Sequence, residues 1–153
     1  MILFPHMLIG AVIGSKIHSF SAVFVLALIS HFLTDMLPHR DYLNGGIEDL
    51  KGKKFAIFIG KSLIDLFAGL LVVWYFFHAS PYLVYILFGA FISIIPDGLT
   101  LLNKLTNYQF QWLIKFQAIH EKIHIADKKN VPVPGLITEV IITVFLIALI
   151  AMS

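Results

Sequence analysis

The chain has 153 residues, 59% of them hydrophobic and 13% charged, with a mean hydropathy of +0.90, against about 25% charged residues in an ordinary soluble domain. This composition excludes a disordered chain, a disulfide scaffold and a nucleic-acid binder. With no cysteine, thiolate chemistry and cysteine-ligated metal are also excluded, and a formal net charge of +2 is too small to call for a polyanionic partner.

The apolar residues are gathered into blocks, each of which reads as a membrane segment. The first, 1–14, is short and lacks the basic leader and small-residue cleavage site of a secretory signal, so it is expected to persist as a first helix. Within it His6, Gly10 and Gly14 fall four residues apart. Gly-xxx-Gly is a close-packing face in membranes, which aims His6 at a neighbouring helix; the alternative is an interfacial histidine at a helix start. The second block, 19–37, is nearly free of charge until Asp35. His31, Asp35 and His39 follow at four-residue spacing and stack along one helix face, although Pro38 leaves the pose of His39 open.

A polar stretch, 38–54, holds an Asn44-Gly45-Gly46 turn signal and ends in Lys51, Lys53 and Lys54. The third block, 55–77, carries Lys61 and Asp65 one turn apart, expected as a structural pair. The fourth, 82–102, repeats the four-residue spacing as Gly89, Ser93 and Asp97; the other reading of Asp97 is a helix-end carboxylate facing water. In the second polar stretch Leu105, Tyr108, Trp112, Phe116, Ile119 and Ile123 recur every three or four residues beside Lys115 and Lys122. That pattern predicts an amphipathic helix over about 105–124 lying in the headgroup region. His120 and His124 share one of its faces, and taken alone they would be solvated residues. The last block, 136–152, closes the chain.

A hydrocarbon core of roughly 30 Å takes about 20 helical residues, so blocks two to four fit, the last is marginal and the first is short. The expected fold is all-α: a single polytopic membrane bundle of about five helices with a cytoplasmic amphipathic interfacial helix. If all five blocks cross, Arg40, Lys51, Lys53, Lys54, Lys104, Lys115, Lys122, Lys128 and Lys129 share one side and only Lys16 lies on the other. The positive-inside rule then makes both long polar stretches cytoplasmic.

Ionisable groups are costly in lipid and are usually turned toward a cavity or a partner. Here His6, His31, Asp35, His39, Asp97, His120 and His124 converge on the same cytoplasmic boundary, while His18 and His78 fall on the other side. Imidazole with carboxylate is the donor set of zinc, manganese or iron more than of calcium or magnesium. A divalent cation would also compensate a neutral histidine and an ionised aspartate inside an apolar helix. His31 lies about 10 Å from the end of its helix, which predicts a recessed, cytoplasm-open pocket.

The residues Pro5-His6 with Gly10 and Gly14, the run from Ser30 to His39, Pro96-Asp97, and His120 with His124 together resemble the small integral-membrane metal-dependent hydrolases of prokaryotic inner membranes. The His-x3-Asp-x2-Pro-His run is the most specific part, and it is similar to part of the zinc ligand set of zinc-dependent phospholipase C. The resemblance implies His31, Asp35 and His39 as metal ligands, with His6, Asp97, His120 and His124 completing one to three ion sites. One departure is Pro96-Asp97-Gly98-Leu99, where the family's better-known branch has a Pro-Asp-x-Asp element.

The function so implied is a membrane-embedded metal-dependent hydrolase acting on a phosphoester or lipid-like substrate through a metal-activated water. Asp35 or Asp97 would accept the proton and Arg40 would hold an anionic oxygen. Two other classes stay open. A divalent-cation or proton transporter needs polar residues in both halves of the bilayer, and the outer halves offer almost none. A non-catalytic membrane protein would use a metal only to hold its helices together.

Overall fold

The structure is a computed structural model, and it describes residues 3–37, 39, 51–123 and 132–151. These residues form seven helices and no strand: α1 (Leu3–Lys16), α2 (Phe20–Asp35), α3 (Gly52–Phe77), α4 (Leu83–Ile92), α5 (Ile95–Leu105), α6 (Gln111–Ile123) and α7 (Pro132–Ala151). Pro5, Pro132 and Pro134 all fall in first turns, where a missing N–H costs no intrahelical bond.

Helix α1 is the hub, packed against α2, α3, α4 and α7. Its Met7, Leu8 and Ala11 form one core with Val73 and Phe77 of α3, Ile86 and Ala90 of α4, and Leu146 and Ile150 of α7. The closest approach is between α1 and α4, and it depends on glycine. A Cβ added to Gly10 would stand 2.1 Å from the Gly89 carbonyl oxygen, and one added to Gly14 would stand 2.2 Å from that of Tyr85. The Gly-xxx-Gly spacing of α1 therefore works as a backbone-to-backbone contact.

Helix α3, with 26 residues and a mean hydropathy of 2.1 over its most apolar window, is long and apolar enough to cross a membrane by itself. Helices α4 and α5 meet that standard only together, and they are bent by 47° where they join. Helices α1 and α2 and the stretch Ile137–Ala151 of α7 are apolar but shorter. Large apolar side chains nonetheless face outward along α3, Ile64, Phe67, Leu71 and Tyr75 among them, and along α7 at Val144 and Phe145.

Two expectations about element boundaries are corrected. The fourth block is not one helix over 82–102: α4 stops at Ile92 and α5 starts at Ile95. The cause is Pro96, which has no N–H for the Ile92 carbonyl four residues before it and whose ring crowds that carbonyl. The amphipathic helix does not begin near residue 105. Leu105 ends α5, Asn107 and Tyr108 take left-handed backbone angles (φ 51° and 59°), and α6 begins at Gln111. Helix α6 then runs back along α5 as the second arm of a hairpin.

A third correction concerns Asp65. Its carboxylate, expected to serve Lys61, accepts the backbone N–H of Phe4 at 2.9 Å, and Lys61 is exposed. The first N–H groups of a helix have no intrahelical acceptor, so a carboxylate from a neighbouring helix caps α1 from the side. Phe4 meets Asp65 and Met7 meets Gly69, so α1 and α3 run in the same direction. Helix α3 overhangs the start of α1 by the thirteen residues from Gly52 to Ile64, roughly 20 Å. The start of α1 is thereby recessed well below the start of α3.

Candidate metal centre

Five ionisable side chains from four helices meet at that recessed level. His6 comes from the first turns of α1, His31 and Asp35 from the end of α2, Asp97 from the first turn of α5, and His120 from the end of α6. His6, His31, Asp35 and His120 are buried, and the Asp97 side chain is 23% exposed, so the group reaches solvent past Asp97.

Asp35 is the centre. Its Oδ2 lies 3.0 Å from His31 Nε2 and 3.0 Å from His120 Nε2, and its Oδ1 lies 3.2 Å from His6 Nε2. The Nε2 atoms of His31 and His120 are 3.1 Å apart, and Asp97 Oδ1 stands 3.9 Å from each. The four-residue spacing of His31 and Asp35 on one helix face makes the first of these contacts, as the sequence pattern predicts.

The far side of each imidazole decides which nitrogen carries the proton. The Nδ1–H of His31 donates to the Ser93 carbonyl at 2.7 Å. That carbonyl stands at the break between α4 and α5. The single Thr34 hydroxyl proton is directed to the carbonyls of Ser30 and His31, each at 2.9 Å, so toward His6 the Thr34 oxygen accepts, and His6 Nδ1–H donates to it at 3.0 Å. In the same way Thr100 donates to the Pro96 carbonyl and accepts from His120 Nδ1–H at 3.3 Å. All three rings are thus set with the proton on Nδ1 and the Nε2 lone pair turned inward, a tautomer assigned from the hydrogen-bond network. The Nε2 atoms of His6, His31 and His120 all face the Asp35 carboxylate, at 3.0–3.2 Å. Lone pairs set against a carboxylate repel, and positive charge at the centre, a cation or a shared proton, relieves the conflict.

His31, Asp35, Asp97 and His120 each offer one ligand atom, all within 4.8 Å of one another, and this buried group could hold a metal ion. Bonds of about 2.1 Å to a tetrahedral ion place neighbouring ligand atoms roughly 3.4 Å apart. The separations of 3.0, 3.1 and 3.9 Å found here lie on either side of that value.

Packing behind the ligands fixes α6. Asn103 Nδ2 of α5 donates to Gln117 Oε1 of α6 at 2.7 Å, and Gln117 Nε2 donates to Glu121 Oε1 at 2.7 Å. Asn103 and Gln117 are buried, so this pair clasps α6 onto α5 one turn from His120. Phe32 stands edge-on to both His31 and His120, and the Phe116 ring lies face-on to His120 with centroids 6.0 Å apart.

Of the residues expected at the site, His6, His31, Asp35, Asp97 and His120 come together. His39 is buried with its Nδ1–H donating to the Leu37 carbonyl at 2.7 Å, and it is not one of the four converging ligand atoms. Arg40 and His124 lie outside the described residues. Sequence reasoning missed Thr34, Thr100, Asn103 and Gln117. The available signal was a hydrogen-bonding side chain inside an otherwise apolar helix, most plainly Thr34 between His31 and Asp35.

The chain matches no family model, and no curated protein or solved structure matches it.

Proposed function

We propose that the chain is a multi-pass inner-membrane protein whose His31, Asp35, Asp97 and His120 bind a divalent ion, zinc in the first place and manganese or iron as alternatives, to hydrolyse a phosphoester of a lipid-like substrate. The observation that carries the reading is the convergence of His31, Asp35, Asp97 and His120, which bring one ligand atom each to within 4.8 Å of one another, with an acceptor behind the His31 and His120 rings that turns Nε2 inward. The resemblance of the His31-x3-Asp35 run to membrane metal-dependent hydrolases points the same way. The short α1, α2 and α7 cross with α3 and the bent α4–α5 pair, and the lysine-rich stretches lie in the cytoplasm.

When bound, the ion supplies an acidified water and stabilises charge on a phosphoryl oxygen. The protein's own groups do the rest. Asp35 turns Oδ2 to His31 and His120 and Oδ1 to His6, so it can serve two adjacent ion positions, the second begun by His6. Asp97 Oδ2 is buried and has no hydrogen-bond partner among the described residues, while Oδ1 faces the histidines. That free oxygen, on the most exposed side chain of the group, is the acceptor available for a proton from water. Phe32 and Phe116 give the site an apolar edge suited to an amphiphile.

Turnover of a panel of lipid phosphoesters by the purified, zinc-loaded chain tests the reading. Hydrolysis of at least one member, lost in Asp35→Ala and strongly reduced in Asp97→Asn, is the expected result. A zinc-loaded chain that turns over no member of the panel counts against the hydrolase and leaves a structural metal site. A second reading follows from the 3.0 Å contacts closing directly between side chains: protons shared among the histidines and Asp35 could hold the helices together without metal. Metal content separates the two.

A further inference from the structure

His120 is carried by α6, a helix of the α5–α6 hairpin that the rest of the protein grips lightly. Helix α6 packs on α5 and touches α2 at its end, and only Leu113, Gln117 and His120 of its side chains are buried. Its outward surface is divided. Trp112, Ile119 and the half-buried Phe116 and Ile123 fall on one flank, and Lys115 and Lys122 line the border beside them, both exposed. Trp112 is 58% exposed and Ile119 is 59% exposed.

The spacing of 112, 116, 119 and 123 against 115 and 122 gives an apolar strip edged by two cations on one side, the distribution of a helix seated at the acyl–headgroup boundary. Lysine stems cover apolar surface while their ammonium groups reach the phosphates. At the tip of the hairpin Leu105 and Phe110 are also exposed, continuing the strip. Near the site, Leu33 of α2 and Met36 and Leu37 just after it are exposed and apolar too. Two cations at the edge of an apolar strip complement an anionic phospholipid more closely than a zwitterionic one.

We infer that the outer flank of α6 is a seat for anionic phospholipid, and that lipid in this seat holds His120 against Asp35, so that metal affinity rises in an anionic leaflet. The inference rests on the metal-binding reading above. The link is short: Phe116, on the lipid-facing flank, stacks on the His120 ring, and the Gln117 clasp joins the same turn to α5. Lipid against the flank and the clasp behind it restrain α6 from both sides.

The test uses the full chain in nanodiscs of phosphatidylcholine alone and of phosphatidylcholine with one-third phosphatidylglycerol, with zinc as the probe against a fluorescent chelator. Attraction of a lysine to an anionic surface strengthens seating about fivefold, so zinc is expected to bind at least that much more tightly in the anionic discs. The K115Q/K122Q double variant should bind zinc as wild type does in phosphatidylcholine and lose the anionic gain. Equal zinc affinity of the wild-type chain in the two discs, or a gain that survives in the double variant, overturns the inference and leaves the metal site standing. Absence of zinc binding in both discs overturns the metal reading and this inference with it. A second measurement keeps the seat testable apart from metal. In a Trp74→Phe chain, Trp112 fluorescence should be quenched by lipids brominated near the headgroup and more strongly in anionic discs; quenching independent of lipid charge overturns the seat.

Discussion

The Nδ1–H of His31 is received by the backbone carbonyl of Ser93 at 2.7 Å, across from α2 to the break between α4 and α5. In an unbroken helix that carbonyl would be committed to the N–H four residues on. Pro96 interrupts the ladder, the Ser93 carbonyl is left to accept from a side chain, and His31 is thereby fixed with Nε2 toward Asp35. A backbone break of 47° and the orientation of a ligand are one event.

The hydroxyls behind the other two rings do the same work as Ser93, and they can be removed. Thr34→Val and Thr100→Val keep shape and delete the acceptor for His6 and His120. Loss of a group that orients a ligand typically weakens metal binding about 10–100-fold, and that range is expected for zinc in Thr100→Val, with helix content by circular dichroism unchanged. The smaller effect is expected for Thr34→Val, because His6 faces the other oxygen of Asp35.

Glycines that look alike in the sequence have opposite prospects. Gly10→Ala drives a methyl to 2.1 Å from the Gly89 carbonyl oxygen, and relief requires α1 and α4 to part. A loss of about 1–3 kcal/mol or more is expected from overpacking of this kind. Gly60 of α3 has no atom within 4 Å of a Cβ built on it, so Gly60→Ala should be neutral or raise stability, by about 0.5–1 kcal/mol from the helix preference alone. Thermal unfolding in detergent micelles ranks the two variants against wild type.

Asp65 should matter to α1 while Lys61 should not. Asp65→Leu leaves the first-turn N–H of Phe4 without its acceptor, and loss of a helix cap costs about 0.5–2 kcal/mol. Asp65→Asn keeps an oxygen acceptor and should lose less. Lys61→Ala should stay within about 0.5 kcal/mol of wild type, as an exposed substitution does. The order Leu below Asn below Ala in melting temperature is the result to check; equal losses at both positions would restore the Lys61–Asp65 pair.

Much of the site was legible because it depends on helical spacing. His31 and Asp35 four residues apart must share a face, and Gly10 and Gly14 must present a close-packing edge; both follow from 3.6 residues per turn. That charge is expensive in an apolar helix singled out His6 and Asp97 as well, whereas His120, on an amphipathic stretch, was picked out only by its four-residue pairing with His124 and by the other groups gathered at the same boundary. What spacing does not carry is the direction between helices. Asp65 and Lys61 share a face of α3, yet the carboxylate serves a backbone N–H of α1, a partner sixty-one residues away in the chain. The 105–124 stripe kept its period across Asn107 and Tyr108, and only the left-handed backbone there ends one helix and lets α6 fold back onto α5. The tautomers were out of reach too, since they depend on a carbonyl that carries no side-chain signal.

The central claim is that His31 and Asp35 hold a metal ion, and metal content tests it most directly. The full-length chain, stripped with chelator, reloaded with zinc and desalted, is to be measured by elemental mass spectrometry beside His31→Ala, Asp35→Ala and, as a control remote from the site, His18→Ala. At least one zinc per chain in wild type and in His18→Ala, with loss in both site variants, is the result expected. A wild-type chain that retains no zinc, or site variants that retain as much as wild type, would contradict the assignment.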